Sequence, residues 1–183
     1  MRDGLVGSEM CIRDRPDTGN KNIITEQVNF LDGLADAINV TDGAGANSHM
    51  SALATAAILA KNGIEPILQF TTRDRNRIAL QADLLGGWAL DIPNILCLYG
   101  DEVKGGDQPD TKEVRDLDTI GLLKTAHEIK INKMYPSGRK ISDAPEFFIG
   151  GADTPFKINN DFDGSNLRKK IEAGVEFFQT QYA

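Results

Sequence analysis

The chain has 183 residues and a formal net charge of -7, enough for one domain with a buried core but short of the roughly 250 residues of a complete eightfold barrel. The acidic balance argues against a nucleic-acid or anionic-membrane partner, since both need clustered cations, and no apolar run approaches the ~18 residues of a membrane-spanning helix. Two cysteines, Cys11 and Cys97, stand at no metal-ligand or CxxC spacing, which argues against a disulfide framework and fits a reducing cytoplasm.

Residues 1–15 (MRDGLVGSEMCIRDR) have neither helical nor strand periodicity and no signal-peptide apolar segment. The run GSEMCIRDR resembles translated sequencing-adapter read-through, so the segment is set aside as a non-native leader, a genuine disordered tail being the alternative. From residue 20 onward helix and strand signals alternate. Apolar residues at Ile23, Ile24, Val28, Leu31 and Leu34 predict a helix over 23–35. A short strand follows over 36–40. Asn47 or Ser48 is expected to cap a helix through Met50, Leu53, Ala57, Ile58 and Ala60 that stops at Asn62-Gly63. The second strand is 66–71. Asp74 or Asn76 opens a helix with Ile78, Leu80, Leu84 and Leu85 on its buried side. The third strand, 94–99, is apolar almost throughout, as when both faces are covered. A polar loop spans 100–116, a helix 117–131, and a further loop 135–144. The fourth strand is expected at 146–150, a helix at 163–173 and the fifth strand at 176–181.

Strict alternation implies βαβ units and a parallel sheet. No strand is followed by a GxGxxG or Walker-type loop, so a barrel is favoured over a Rossmann domain. In a barrel, function sits after the carboxyl ends of the strands. Those loops are expected to begin at Thr41, Thr71, Gly100, Gly150 and Gln181.

The first of these loops carries Thr41, Asp42, Gly43 and Gly45; ligand contact and a helix-capping turn are both open. Gln69 is a polar residue in an apolar strand, and a buried amide needs either a ligand or a neighbouring strand. Arg73, Arg75 and Arg77 oppose the dipole of the following helix, and ion pairs, Asp74 among them, explain them better than an anionic ligand. Gly100 permits a flat ligand to approach the backbone, with Asp101 beside it. Asn166, Arg168, Lys169 and Lys170 form either a pyrophosphate-holding run or a solvated face. Gln179 and Gln181 share a strand face, expected to point inward. His49 and His127 fall in predicted helices. No Ser-His-Asp or Cys-His arrangement and no metal spacing is present among the strand ends, so no metal ligand is assigned. A site of amides, hydroxyls and one carboxylate suits an organic cofactor that brings its own reactivity.

The segments NVTDGAGANSHMS, EPILQFTTRDRNRIALQADLLG, NILCLYGD, RDLDTIGLL, FFIGGADTPF and NLRKKIEAGVEFFQTQ together resemble the methylenetetrahydrofolate reductase family. The likeness is greatest to its bacterial and archaeal branch with a TCRDRNR-like segment, and it runs in order over residues 31–183. The resemblance implies a (β/α)8 TIM barrel, here truncated at both ends with about strands 2 to 6 over 16–183. It implies FAD-dependent reduction of 5,10-methylenetetrahydrofolate to 5-methyltetrahydrofolate, with NAD(P)H or another donor, in the one-carbon metabolism that feeds methionine synthesis. By likeness, Asp101 is the strand-end aspartate beside flavin and folate, and Thr41 the threonine near the flavin ring, with Asp42 and Gly100 beside them. Gln181 is the folate-contacting glutamine. Asp163, Asn166, Lys169 and Lys170 are the segment for the FAD ribose and pyrophosphate. Gln69 stands where some relatives carry a flavin-contacting histidine.

The family's general acid, a glutamate in an EFFPP-like first strand, has no counterpart, since Arg15 leads directly to Pro16-Asp17-Thr18. The isolated chain is therefore expected to be inactive. The full-length protein is expected to form a homo-oligomer or a complex subunit. One rival is a non-catalytic flavin- or folate-binding barrel acting as a fused or partner subunit. A barrel lyase or aldolase would want a strand-end lysine, and none is apparent.

Overall fold

A computed structural model describes residues 10–13, 16–29, 33–153 and 163–180. Six strands form one sheet in sequence order: β1 (Met10–Arg13), β2 (Ala37–Val40), β3 (Pro66–Thr71), β4 (Asn94–Leu98), β5 (Phe148–Asp153) and β6 (Phe177–Thr180). Every neighbouring pair is parallel. The connections carry α1 (Lys21–Asn29), α2 (Ala52–Lys61), α3 (Arg77–Ala89), α4 (Thr119–Asn132) and α5 (Ser165–Glu172). Short 3-10 turns lie at Ala44–Ala46 and Val103–Gly105. Among the described residues no helix is long and apolar enough to cross a membrane.

Alternation along each strand separates two cores. Ile38, Val40, Leu68, Phe70, Ile95, Cys97 and Ile149 face the helices and pack with Leu59, Leu80, Leu84, Leu122, Leu123 and Ile129. Ala37, Ile67 and Leu96, with Leu98 and Phe177, form a smaller cluster on the opposite face. That face curls inward: the side chains of Asn39 on β2 and Gln179 on β6 are hydrogen-bonded across it. The architecture is an α/β half-barrel.

The strands expected at 36–40, 66–71 and 94–99 fall where the hydropathy pattern put them, while other elements differ: Leu34, expected on the first helix, lies in a turn and is exposed. Met10–Arg13 forms an edge strand on β2, although no strand was expected in residues 1–15; a parallel edge needs only a short extended run to pair. The fourth strand runs to Asp153, so Gly150 and Gly151 do not end it. A Cβ on Gly150 would lie 2.3 Å from the Phe177 ring, so the glycine makes room for a neighbour rather than marking a turn. The cap of α2 is Ser51, whose side chain accepts from Ala54 N, because the side-chain Oδ1 of Asn47 is taken by Asp107 N at 3.0 Å. His49 consequently precedes the helix, with Nδ1 2.5 Å from Asp17 Oδ1. Finally, Ile78 is 74% exposed. It sits one residue into α3, and the turns that meet the sheet begin at Leu80. The opening of α3 is Asn76, which accepts from Ile78 N and Ala79 N.

Candidate active site

The carboxyl ends of β2 to β6 surround a cleft of about 480 Å³. Thr41, Asp42, Gln69, Gly100 and Asp101 all line it, brought together from the loop after β2, from β3 itself and from the loop after β4. Gln179 lines it too, with Thr71, Asp153 and Thr180. A second cleft of about 360 Å³ contains Asn166 and Lys170, along with Asp118 and Thr119. The two share Leu98, Tyr99 and Ala152, so they adjoin over the ends of β4 and β5. Asp163 and Lys169 line neither. Asp163 is exposed, and its carboxylate accepts from Ser165 N at 2.8 Å at the start of α5, which holds its pKa below the usual range. Lys169 is exposed on that helix. Gln181 lies outside the described residues.

The local chemistry explains each placement. Gln69 is buried because its strand is covered on both faces, and its amide oxygen accepts from Asp42 N at 3.2 Å. It therefore ties the end of β3 to the loop after β2. The Asp42 carboxylate accepts from Thr71 N at 2.9 Å, from Thr71 Oγ1 at 3.1 Å, and from Arg75. Arg75 also meets Asp83 at 2.9 Å. The arginine-rich segment is thus a set of ion pairs: Arg73 with Asp74, Arg75 with Asp42 and Asp83, Arg77 with Asp116.

Asp101 stands exposed at the rim of the cleft, and its Oδ2 accepts from Gly45 N at 2.7 Å. Gly100 before it has φ +87°, and a Cβ there would meet Thr71 Cβ at 3.1 Å and Arg73 Cβ at 3.2 Å. A side chain there would be strained by the backbone and would crowd Thr71 and Arg73, so glycine suits both the turn and the space. Tyr99 is 52% exposed between the two clefts, and the Arg115 guanidinium stacks 3.8 Å from its ring centre. Arg115 also donates to Tyr99 O at 2.9 Å and pairs with Glu113, whose pKa it lowers. Lys170 donates to Ala152 O at 2.5 Å, with Asp153 3.8 Å away.

Sequence reasoning missed Asn39, Asp153 and Arg115. Asn39 carried a usable signal, because it precedes Thr41 by two and is polar in an apolar strand, like Gln69. Arg115 carried none, since its contacts are set by the return of a long loop.

Chemically, the first cleft offers hydroxyls, amides and one exposed carboxylate, and the second a lysine beside the first turn of a long helix. No curated protein matches the chain. The family model described as Methylenetetrahydrofolate reductase matches residues 15–183. With that match over a parallel half-barrel whose clefts lie at the strand ends, the chain belongs to the methylenetetrahydrofolate reductase family.

Proposed function

We propose that this chain forms the cofactor and substrate face of an FAD-dependent enzyme that reduces 5,10-methylenetetrahydrofolate to 5-methyltetrahydrofolate. One observation carries the reading: of two adjoining clefts at the strand ends, one is lined by Thr41, Asp42, Gln69, Gly100 and Asp101 and the other by Asn166 and Lys170. An elongated dinucleotide fits that division, with a flat ring over Leu96 and Leu98 and an anionic linker toward Lys170. FAD when bound supplies the two-electron chemistry that no side chain here possesses.

Thr41 and Gln69 are the groups for the ring. Asp42 serves through the loop it anchors on Thr71, since its Oδ2 is already engaged there. Asn166 and Lys170 are the groups for ribose and pyrophosphate, with Asp163 shaping the first turn of α5 and Lys169 adding positive charge nearby. Asp101 and Gln181 are the substrate contacts. Asp101 places a negative charge where a cationic iminium form of the folate is favoured. The electron donor is NAD(P)H or another reductant.

The test is to express the full-length protein, record its absorbance, and follow oxidation of the reduced, flavin-loaded protein by methylenetetrahydrofolate. A yellow protein oxidised by the folate supports the proposal. A colourless protein that ignores added FAD overturns it. A flavoprotein inert to folate and to every donor identifies a binding subunit instead.

A further inference from the structure

Arg73 is 3% exposed. Burying a guanidinium is strongly unfavourable unless its N–H groups are paired, and here they reach three partners. Nε and Nη2 clasp Asp74 at 2.7 and 2.8 Å. Nη1 donates to Gly43 O at 3.1 Å and to Asp101 O at 3.2 Å. Gly43 and Asp101 belong to the loops after β2 and β4, two of the segments that border the first cleft. The same loops meet again above: Asp101 Oδ2 accepts from Gly45 N. The result is a closed ring of contacts, from Nη1 to the Asp101 backbone, through its carboxylate to Gly45, and back through Gly43 to Nη1. Gly43 adds an independent sign. A Cβ on it would fall 2.2 Å from Arg73 Nη2, and its φ is +66°, so the loop is shaped around the guanidinium.

We propose that Arg73 is a positioning residue: its buried fork fixes the separation of these two loops and thereby aims the Asp101 carboxylate at the cleft. The catalytic consequence rests on the role of Asp101 proposed above; the geometric one does not. Lysine cannot substitute, because a single ammonium cannot hold two carbonyls and a bidentate carboxylate at once.

The test uses Arg73→Lys in the full-length protein, with two readouts. The first is amide hydrogen exchange at Gly45. It is expected to quicken by about 10-fold or more, the loss of one charge-assisted hydrogen bond, while amides of β3 and β4 keep their protection. The second is the folate half-reaction in a double-mutant cycle with Asp101→Asn. Arg73→Lys is expected to slow it by about 10-fold or more in the parent and not further in the Asp101→Asn background. If Arg73→Lys does not fold, Asp74→Asn loosens the same fork and carries the same expectations. Unchanged exchange at Gly45 overturns the proposal, as does a rise spread evenly over the domain, or an effect that adds fully to that of Asp101→Asn. If the parent protein proves inert to folate, the functional reading falls while exchange at Gly45 still decides the positioning.

Discussion

Asn39 and Gln179 touch although four strand steps separate β2 from β6. In a flat sheet that distance is roughly 19 Å, so the contact requires curvature. Their register is informative as well. Asn39 pairs with Ile67. Gln69, two residues on, is continued by Leu96, Gly150 and Phe177, and Gln179 lies two beyond Phe177. The offset is therefore four residues over four strands, about the one residue per strand of a barrel with eight strands and a shear of 8. In such a barrel the two residues occupy one interior layer.

The Asn39–Gln179 pair makes a stability claim. Asn39 is fully buried; its Nδ2 donates to Gln179 Oε1, and its Oδ1 has no hydrogen-bond partner among the described residues. Asn39→Leu is expected to destabilise by about 1–3 kcal/mol, because it strands the Gln179 amide. The double variant Asn39→Leu/Gln179→Leu is expected to recover much of that loss, since two apolar groups leave nothing unpaired. Urea melts of the four proteins in the cycle decide; a double variant as unstable as the sum of the singles refutes the pairing.

The strands were legible because their apolar runs are short and bounded, and because a parallel sheet covered on both sides tolerates few polar residues. Gln69 stood out for that reason, and its burial followed. What the chain could not announce locally was pairing between distant loops. Asn47 reads as a cap but serves Asp107, sixty residues away. Arg73 reads as an ion-pair residue, and is one, yet its bonds to Gly43 and Asp101 depend on two other loops folding over it. Gly150 reads as a breaker because its role is to admit a ring from the next strand.

Gly100→Ala is expected to lower stability by about 1–2 kcal/mol from the left-handed backbone alone. The added Cβ also presses on Thr71 and Arg73. Since the same residue sets the exit of β4, the change should also loosen the Asp101–Gly45 contact. A thermal melt checks the first effect and exchange at Gly45 the second. A variant as stable as the parent would show that the turn adapts without strain.

The Arg77–Asp116 pair should appear in acid. Arg77 donates through its side chain and through its backbone N–H at the start of α3, bringing Asp116 down from the ordinary 3.8 to about 2. A carboxylate depressed in the folded state stabilises it above the unfolded pKa and loses that contribution as pH falls through the folded one. The window is therefore roughly pH 4 down to pH 2. Asp116→Asn is expected to flatten the stability profile in that window and leave its slope above pH 5 intact. An NMR titration of Asp116 in Arg77→Ala should return its pKa toward the ordinary value; an unmoved pKa would assign the depression to another cause.

Asp101→Asn separates charge from shape. In the structure Asp101 Oδ2 accepts from Gly45 N, and its backbone carbonyl accepts from Arg73. Asparagine keeps an oxygen for the first bond and leaves the second untouched. The side chain is also exposed, so removing its charge relieves no burial. Folding and flavin binding are therefore expected to survive. On the role proposed for Asp101, what changes is the field at the cleft mouth: a neutral amide would no longer favour a cationic iminium. The folate half-reaction is expected to slow by on the order of 10² or more, the scale for losing one preorganised electrostatic contact. Loss of a negative charge beside the ring should also raise the flavin potential, so reduction by the donor should slow less or not at all. Asp101→Ala removes the acceptor as well, and should add a stability loss of about 1 kcal/mol, as at other turns that lose a capping oxygen. Stopped-flow rates for the two half-reactions, measured beside thermal melts of both variants, resolve the two roles. If Asp101→Asn reduces folate at the parent rate while Asp101→Ala merely melts earlier, Asp101 is a loop cap and the carboxylate plays no part in the chemistry.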